Sequence, residues 1–267
     1  MLFLKMIDFH NHILPNVDDG PKNMDESISM LKHAKKIGIT DIVQTIHFQH
    51  PKMEGKNTNY EYIKNIRDNL IEQAKNEKLN IRIHLSSEVF YLPNLDRVLS
   101  NPLTTCGNGK FMLIEFSSSI FPFGYEEEFF KLQLKNITPI VAHPERYRFI
   151  QNDLNILFDW LNKGFVVQVD AGSILGNFGN NVKKTVFKMI DMNCIHLIGS
   201  DCHNNRNRNF CLDKAYDIIS SDYSIEVVDK LKNNSKKLLN GENLNNILFT
   251  NKNNDKFFLN KLFKLFK

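Results

Sequence analysis

The chain has 267 residues, 42% hydrophobic and 24% charged, which is room for a full core and ordinary for a soluble globular protein. Its formal charge of +4 sits in the last stretch, from Lys252 to Lys267, where five lysines face one aspartate; elsewhere 29 basic residues balance 29 acidic ones. That balance argues against a nucleic-acid groove on the body. Four cysteines without C-x-x-C spacing point to reduced thiols in a cytoplasm, and no apolar run approaches the ~20 residues of a membrane span.

The first predicted strand, with Ile7 and Phe9, ends in His10 and His12 and runs into an Asp18-Asp19-Gly20-Pro21 turn. Residues two apart on a strand point the same way, so both imidazoles can address one point and the turn can return a carboxylate to it. Residues 24–37 read as a helix: Ile28, Leu31 and Ala34 share a face, Asn23 and Asp25 stand at its start, and Gly38 stops it. A second strand over 39–46 ends at His47, and a helix with Ile63, Ile66, Leu70 and Ala74 at helical spacing follows a polar loop. Three more strands are predicted at 81–85, with Glu88 close behind, at 111–116, carrying Glu115, and at 138–142, ending at His143. The last two fall at 165–169 and at 195–199, the latter just ahead of Asp201 and His203. Helices are expected around 126–135, 152–163, 181–192, 210–220 and 224–239.

Seven strands alternating with helices, with no linker or repeat between them, predict a single parallel α/β domain. His10/His12, His47, Glu88, Glu115, His143 and Asp201/His203 each fall at or just past the C-terminal end of a different strand. In a barrel those ends converge on one mouth, whereas an open sheet would spread them along an edge. A seven-stranded barrel is therefore the expectation. Five histidines and four carboxylates, counting Asp19, offer N/O ligands without sulfur, a set suited to Mn, Fe, Zn or Mg. Nine ligands exceed what one catalytic ion uses, so a bridging carboxylate and more than one ion are expected. Such a cluster suits phosphoryl transfer to water, and Arg146, Arg206 and Arg208 follow ligand strands closely enough to hold phosphate oxygens. His33, His50, His84 and His196 do not fit the strand-end pattern and receive no role.

The motifs Ile7-Asp-Phe-His-Asn-His12, Asp18-Asp-Gly-Pro21, Thr45-Ile-His47, Glu88, Ile114-Glu-Phe116, Ala142-His-Pro-Glu-Arg-Tyr147 and Ser200-Asp-Cys-His-Asn204 carry a resemblance. They resemble the polymerase-and-histidinol-phosphatase (PHP) superfamily. Within it they are most similar to the bacterial manganese-dependent tyrosine-protein phosphatases of capsule and exopolysaccharide loci, the CpsB/YwqE type. The resemblance runs from about Met6 to about Leu248 and implies a distorted seven-stranded (β/α)7 barrel, so the domain is set at 1–248. Residues 249–267, largely beyond the resemblance, read from their own composition as a basic amphipathic tail. The resemblance also implies three metal ions, Mn2+ foremost: His10, His12, Glu88 and Asp201 for the first, Asp19, His47 and His203 for the second, Glu88, Glu115 and His143 for the third. Arg146 and Arg208 would grip the phosphate. A metal-activated hydroxide would hydrolyse phosphotyrosine on a protein substrate, expected to be a tyrosine kinase anchored at the inner membrane. Where the family commonly has Thr-Pro-His-His, this chain has Thr45-Ile-His-Phe48. The first five residues precede the family's usual start, so Met6 is an alternative initiator.

Other readings keep the metals and change the chemistry they serve. They are a phosphatase for histidinol phosphate or another small phosphomonoester, an amidohydrolase, and a metal-binding regulatory module without turnover. Cys202 and Arg208 also match the C-x5-R spacing of cysteine-dependent phosphatases, but the intervening loop has no glycine to cradle phosphate, and Cys202 alternates away from its neighbours. In the tail, Phe258, Leu259, Leu262, Phe263, Leu265 and Phe266 would share one helical face and the lysines the other. That face would lie in a membrane interface, or pack on the barrel or a second subunit.

Overall fold

The structure is a computed structural model that describes residues 5–53 and 58–244. Seven strands lie in one parallel sheet in chain order: β1 (Met6–Asp8), β2 (Ile39–Phe48), β3 (Arg82–Phe90), β4 (Phe111–Glu115), β5 (Thr138–Ala142), β6 (Val166–Asp170) and β7 (Leu197–Gly199). The sheet curls into a nearly closed, distorted seven-stranded barrel. Closure comes past the ends of the outer strands, where Asn11 bridges Cys202. His12 N–H donates to the Cys202 carbonyl at 2.8 Å, and Asp201 N–H to the His10 carbonyl at 2.7 Å. The barrel is thus sealed by the two segments that carry His10, His12, Asp201 and His203.

Nine helices surround the sheet among the described residues: α1 (Met24–Lys36), α2 (Tyr60–Asn76), α3 (Tyr125–Leu134), α4 (Arg148–Asn152), α5 (Asn155–Asn162), α6 (Ala171–Leu175), α7 (Asn180–Asp191), α8 (Leu212–Asp222) and α9 (Ile225–Leu239). The first of them shows how local chemistry sets the limits. In α1, Asn23 Oδ1 accepts Glu26 N–H at 2.9 Å, Asp25 and Glu26 sit at the positive end of the helix dipole, and Gly38 takes φ 90° just past the C-terminus. Its buried Ile28, Met30, Leu31 and Ala34 belong to the core.

The alternation of strand side chains makes two cores. Ile7, Phe9, Val43, Phe111, Leu113, Ile140, Val166 and Leu197 form one cluster, with Leu238 of α9 packed among them. The larger cluster fills the layer between strands and helices, with Ile42, Ile46, Met112, Ile114, Val141, Val167 and Ile198 among its members. Period two then settles what reaches the mouth. Val43 leads through Thr45 to His47, Leu113 to Glu115, Val166 through Gln168 to Asp170, and Leu197 through Gly199 to Asp201. The tail 249–267 and the boundary expected at 248 lie outside the described residues.

Several limits differ from those the sequence predicts. β3 extends to Phe90 because it pairs with β2 as far as Phe48 and Val89, so Glu88 lies inside the strand. The single helix expected over 152–163 is divided between α4 and α5, with Asp153 extended between them. β6 ends at Asp170, not Val169, and feeds directly into α6.

Candidate metal centre

All nine predicted ligand positions meet at the C-terminal mouth, around the buried carboxylate of Glu88. Glu88 Oε2 stands 3.3 Å from His10 Nε2, 3.5 Å from His12 Nε2 and 3.2 Å from His47 Nδ1, while Oε1 is 2.8 Å from His143 Nε2. Four groups have donor atoms mutually within 4.8 Å: His12/Asp19/His47/His203, His10/His12/Asp201, His10/Glu88/His143 and His47/Glu88/Glu115. The local backbone is bent to reach this arrangement. His143 and Asp201 take φ 31° and 46°, left-handed values uncommon for residues other than glycine and typical of strained functional positions. Gly20 allows the Asp-Asp-Gly-Pro turn to close, since a Cβ there would stand 2.5 Å from the His12 carbonyl.

Neighbours fix which ring nitrogen His10, His12 and His203 turn inward. His12 Nδ1 lies 2.8 Å from Asp18 Oδ2, so its proton is held there and the Nε2 lone pair faces the centre. His10 Nδ1 lies 2.9 Å from Gln168 Oε1, and Gln168 is oriented by donating through Nε2 to the Val169 carbonyl and to Asp170. His203 Nδ1 meets the Asp201 carbonyl at 3.0 Å. The inward Nε2 atoms of His10 and His12 are buried and make no hydrogen bond, although Asp201 Oδ1 is 3.6 Å from each. Buried polar atoms in proteins are rarely left so. Converging, unbonded nitrogen lone pairs beside carboxylate oxygens are what a divalent cation would satisfy, so the residues fit metal ions.

The charge balance agrees. Burial alone would raise the Glu88 carboxyl, but His10, His12 and His143 hold it well below the usual carboxylate range. Burial would likewise lower His10, yet Glu88 and Asp201 push it up to about 10. Burial, with the Glu88 charge beside it, moves Glu115 up to about 8. The cluster therefore attracts positive charge.

Two arginines adjoin it. Arg146 Nη1 donates to Asp170 Oδ2 at 3.0 Å and Asp201 Oδ2 at 2.8 Å, and Arg208 Nη2 donates to Asp201 Oδ2 at 2.6 Å. Phe178 lies under both guanidiniums, with ring-centre distances of 4.7 Å for Arg146 and 6.0 Å for Arg208. Arg206 is exposed on the same loop. Cys202 is fully buried, and burial pushes its thiol well above the ordinary range, the opposite of what a nucleophilic thiolate needs.

Other residues of the site escape sequence reasoning. Asp18 is visible there only as part of a turn, and Asp170, Gln168 and Phe178 belong to no motif. His50, expected to have no role, is brought to the site: its ring is 4.7 Å from that of His47, and Nε2 is 3.8 Å from Glu115 Oε2. The reason is a turn at Gln49, where φ is 50° and the chain doubles back after β2.

The family model for capsular polysaccharide synthesis, CpsB/CapC, matches residues 6–240. The chain belongs to this family. The putative tyrosine-protein phosphatase CapC of Staphylococcus aureus is 35% identical over 240 residues, covering 90% of this chain and 93% of that one. The tyrosine-protein phosphatase YwqE of Bacillus subtilis is 30% identical, with the same coverage. A solved structure from work on YwqE of Bacillus subtilis and CpsB of Streptococcus pneumoniae, described as metal-dependent tyrosine phosphatases, superposes with a TM-score of 0.85 at 30% identity, covering 90% of this chain and 96% of that one. A phosphotriesterase homology protein from Escherichia coli shares the fold alone, with a TM-score of 0.56 at 12% identity, covering 87% of this chain and 98% of that one.

Proposed function

We propose that this CpsB/CapC member is a metal-dependent protein-tyrosine phosphatase. The observation that carries the reading is the pair of unbonded Nε2 atoms of His10 and His12 among the converging histidines and carboxylates around Glu88, with Arg146 and Arg208 at the edge. The names of YwqE and CpsB supply the substrate class. His10, His12, Glu88 and Asp201 would hold one ion, Asp19, His47 and His203 a second, and Glu88, Glu115 and His143 a third, with Mn2+ the preferred metal. Bound there, divalent ions lower the pKa of coordinated water and offset charge on phosphoryl oxygens.

The protein's own residues do the rest. Arg146 and Arg208 present guanidinium N–H groups to the non-bridging phosphoryl oxygens, where charge builds as the P–O bond to the phenol breaks. Asp170 and Asp201 hold these forks in place, and Phe178 supports both from below. Asp201 thereby links the arginine pair to the metal ligands. The protein substrate is a tyrosine kinase at the inner face of the membrane.

The test compares a phosphotyrosyl peptide with histidinol phosphate, using protein stripped by a chelator and resupplied with Mn2+. Turnover of the peptide that returns with the metal and exceeds that of histidinol phosphate at least tenfold is expected. The reverse preference would move the chain to small phosphomonoesters.

A further inference from the structure

Beside the metal centre lies a cleft of about 300 Å³, at the small end of ligand cavities. Its lining combines His143, Glu115 and Arg146, which belong to the candidate metal and phosphate machinery, with His50, Pro51 and Phe90. The His50–Phe90 part of that lining is aromatic and held in place. His50 stands edge-on to Phe90, with ring centroids 4.9 Å apart and planes at 77°. Gln49, in its left-handed turn, donates from Nε2 to the Phe90 carbonyl at 2.8 Å, locking the end of β2 to the end of β3. His50 Nδ1 accepts Lys52 N–H at 3.2 Å, which fixes the ring orientation. Phe116 and Tyr147 line the same cleft, and Phe116 N–H donates to Tyr147 Oη at 2.9 Å.

We propose that this cleft is the slot for the phosphotyrosyl ring, and that the His50–Phe90 pair makes the site selective for aryl over alkyl phosphates. The inference rests on the phosphatase reading and adds which residues choose the substrate. A phosphate gripped by Arg146 and Arg208 must pass its ester substituent outward. The lining of the cleft includes both Arg146 and the edge-to-face His50–Phe90 pair, so a planar ring carried on a phosphate held there can lie against that pair. Aromatic contacts of this kind favour a ring over the short aliphatic stem of a phosphoserine. The chemistry of the reaction is untouched; the slot acts on binding and placement.

The competing role for His50 is to orient Glu115, its neighbour at 3.8 Å. The two are separated with Mn2+-loaded full-length protein and a pair of peptides of one sequence, bearing either phosphotyrosine or phosphoserine. In His50→Ala and in Phe90→Ala, the ratio of kcat/KM for the phosphotyrosyl over the phosphoseryl peptide should fall about five- to tenfold, mainly through KM. Metal content should stay at the wild-type value, and His50→Phe should restore most of the ratio. An equal loss on both peptides, loss of metal, or a failure of His50→Phe to rescue would overturn the slot. A wild-type protein with no preference for phosphotyrosine would instead sink the phosphatase reading beneath it. Preference that survives both alanine variants would sink the slot alone.

Discussion

Asp18 and Asp19 are adjacent carboxylates with opposite duties. Asp19 Oδ1 faces His47 Nε2 at 3.4 Å and His203 Nε2 at 3.2 Å, in the position of a ligand. Asp18 turns the other way, holds His12 Nδ1 and accepts His47 N–H at 3.1 Å. Asp18→Ala should therefore leave the nine ligands in place but weaken Mn2+ binding roughly ten- to hundredfold, the usual cost of losing a group that orients a ligand. Equilibrium dialysis reads this directly, and unchanged affinity would show that the barrel alone orients His12. Cys202→Ala provides the complementary expectation. The thiol is buried and protonated, so most of the phosphotyrosyl peptide activity should remain, and its loss at constant metal content would point to cysteine chemistry. Most of the proposed ligand positions are legible in the sequence because they stand at or near the C-terminal ends of apolar strands. The duty of Asp18 is not, since which of two neighbouring carboxylates faces inward depends on the turn and not on residue type.

The strands show why some elements are easier to read than others. Thr138–Ala142 appears over the range its apolar run predicts, whereas β6 is shifted by one residue, leaving out Phe165 and taking in Asp170. That residue is the one that grips Arg146, and period two continued past Val166 and Gln168 places it inward. α6 has five residues, too few for a helical pattern to register. The other end of the barrel carries stability, not chemistry. His196, just before β7, accepts Val167 N–H at Nδ1, and burial, with Lys230 nearby, lowers its pKa to about 4. An unfolded histidine titrates near 6.5, so the unfolded chain binds the extra proton first as pH falls. The stability His196 contributes is thus whole above about pH 6.5 and is lost as pH drops toward 4. The loss is at most about 3 kcal/mol for this partly buried ring. Denaturant unfolding of His196→Gln should show a shallower fall in stability between about pH 7 and 4.5 than wild type, and identical slopes would exclude the effect.

At the scale of the whole molecule, the barrel works as a frame whose last seam is also its active edge. β1 and β7 do not pair as strands; the Asn11–Cys202 bridge and two backbone hydrogen bonds join them. Gly199 is required there, because a Cβ would collide with that of His10. No helix among the described residues is long and apolar enough to cross a membrane. The membrane reading of the tail, set against packing on the barrel or a second subunit, is tested by deletion. Removing residues 252–267 should leave turnover of soluble peptides intact and abolish sedimentation with phosphatidylserine vesicles. Equal sedimentation of both proteins would exclude the tail as an anchor.

If the mouth holds a metal cluster on which hydrolysis of phosphotyrosine depends, metal occupancy and turnover must rise together. The most direct measurement titrates Mn2+ into chelator-stripped protein, following bound metal per chain and phosphate release from a phosphotyrosyl peptide in the same samples. More than one ion should bind per chain, with activity rising as the ions bind and absent in Asp201→Ala. Full activity in stripped protein, or saturation with metal while the peptide remains intact, would contradict the metal-dependent mechanism.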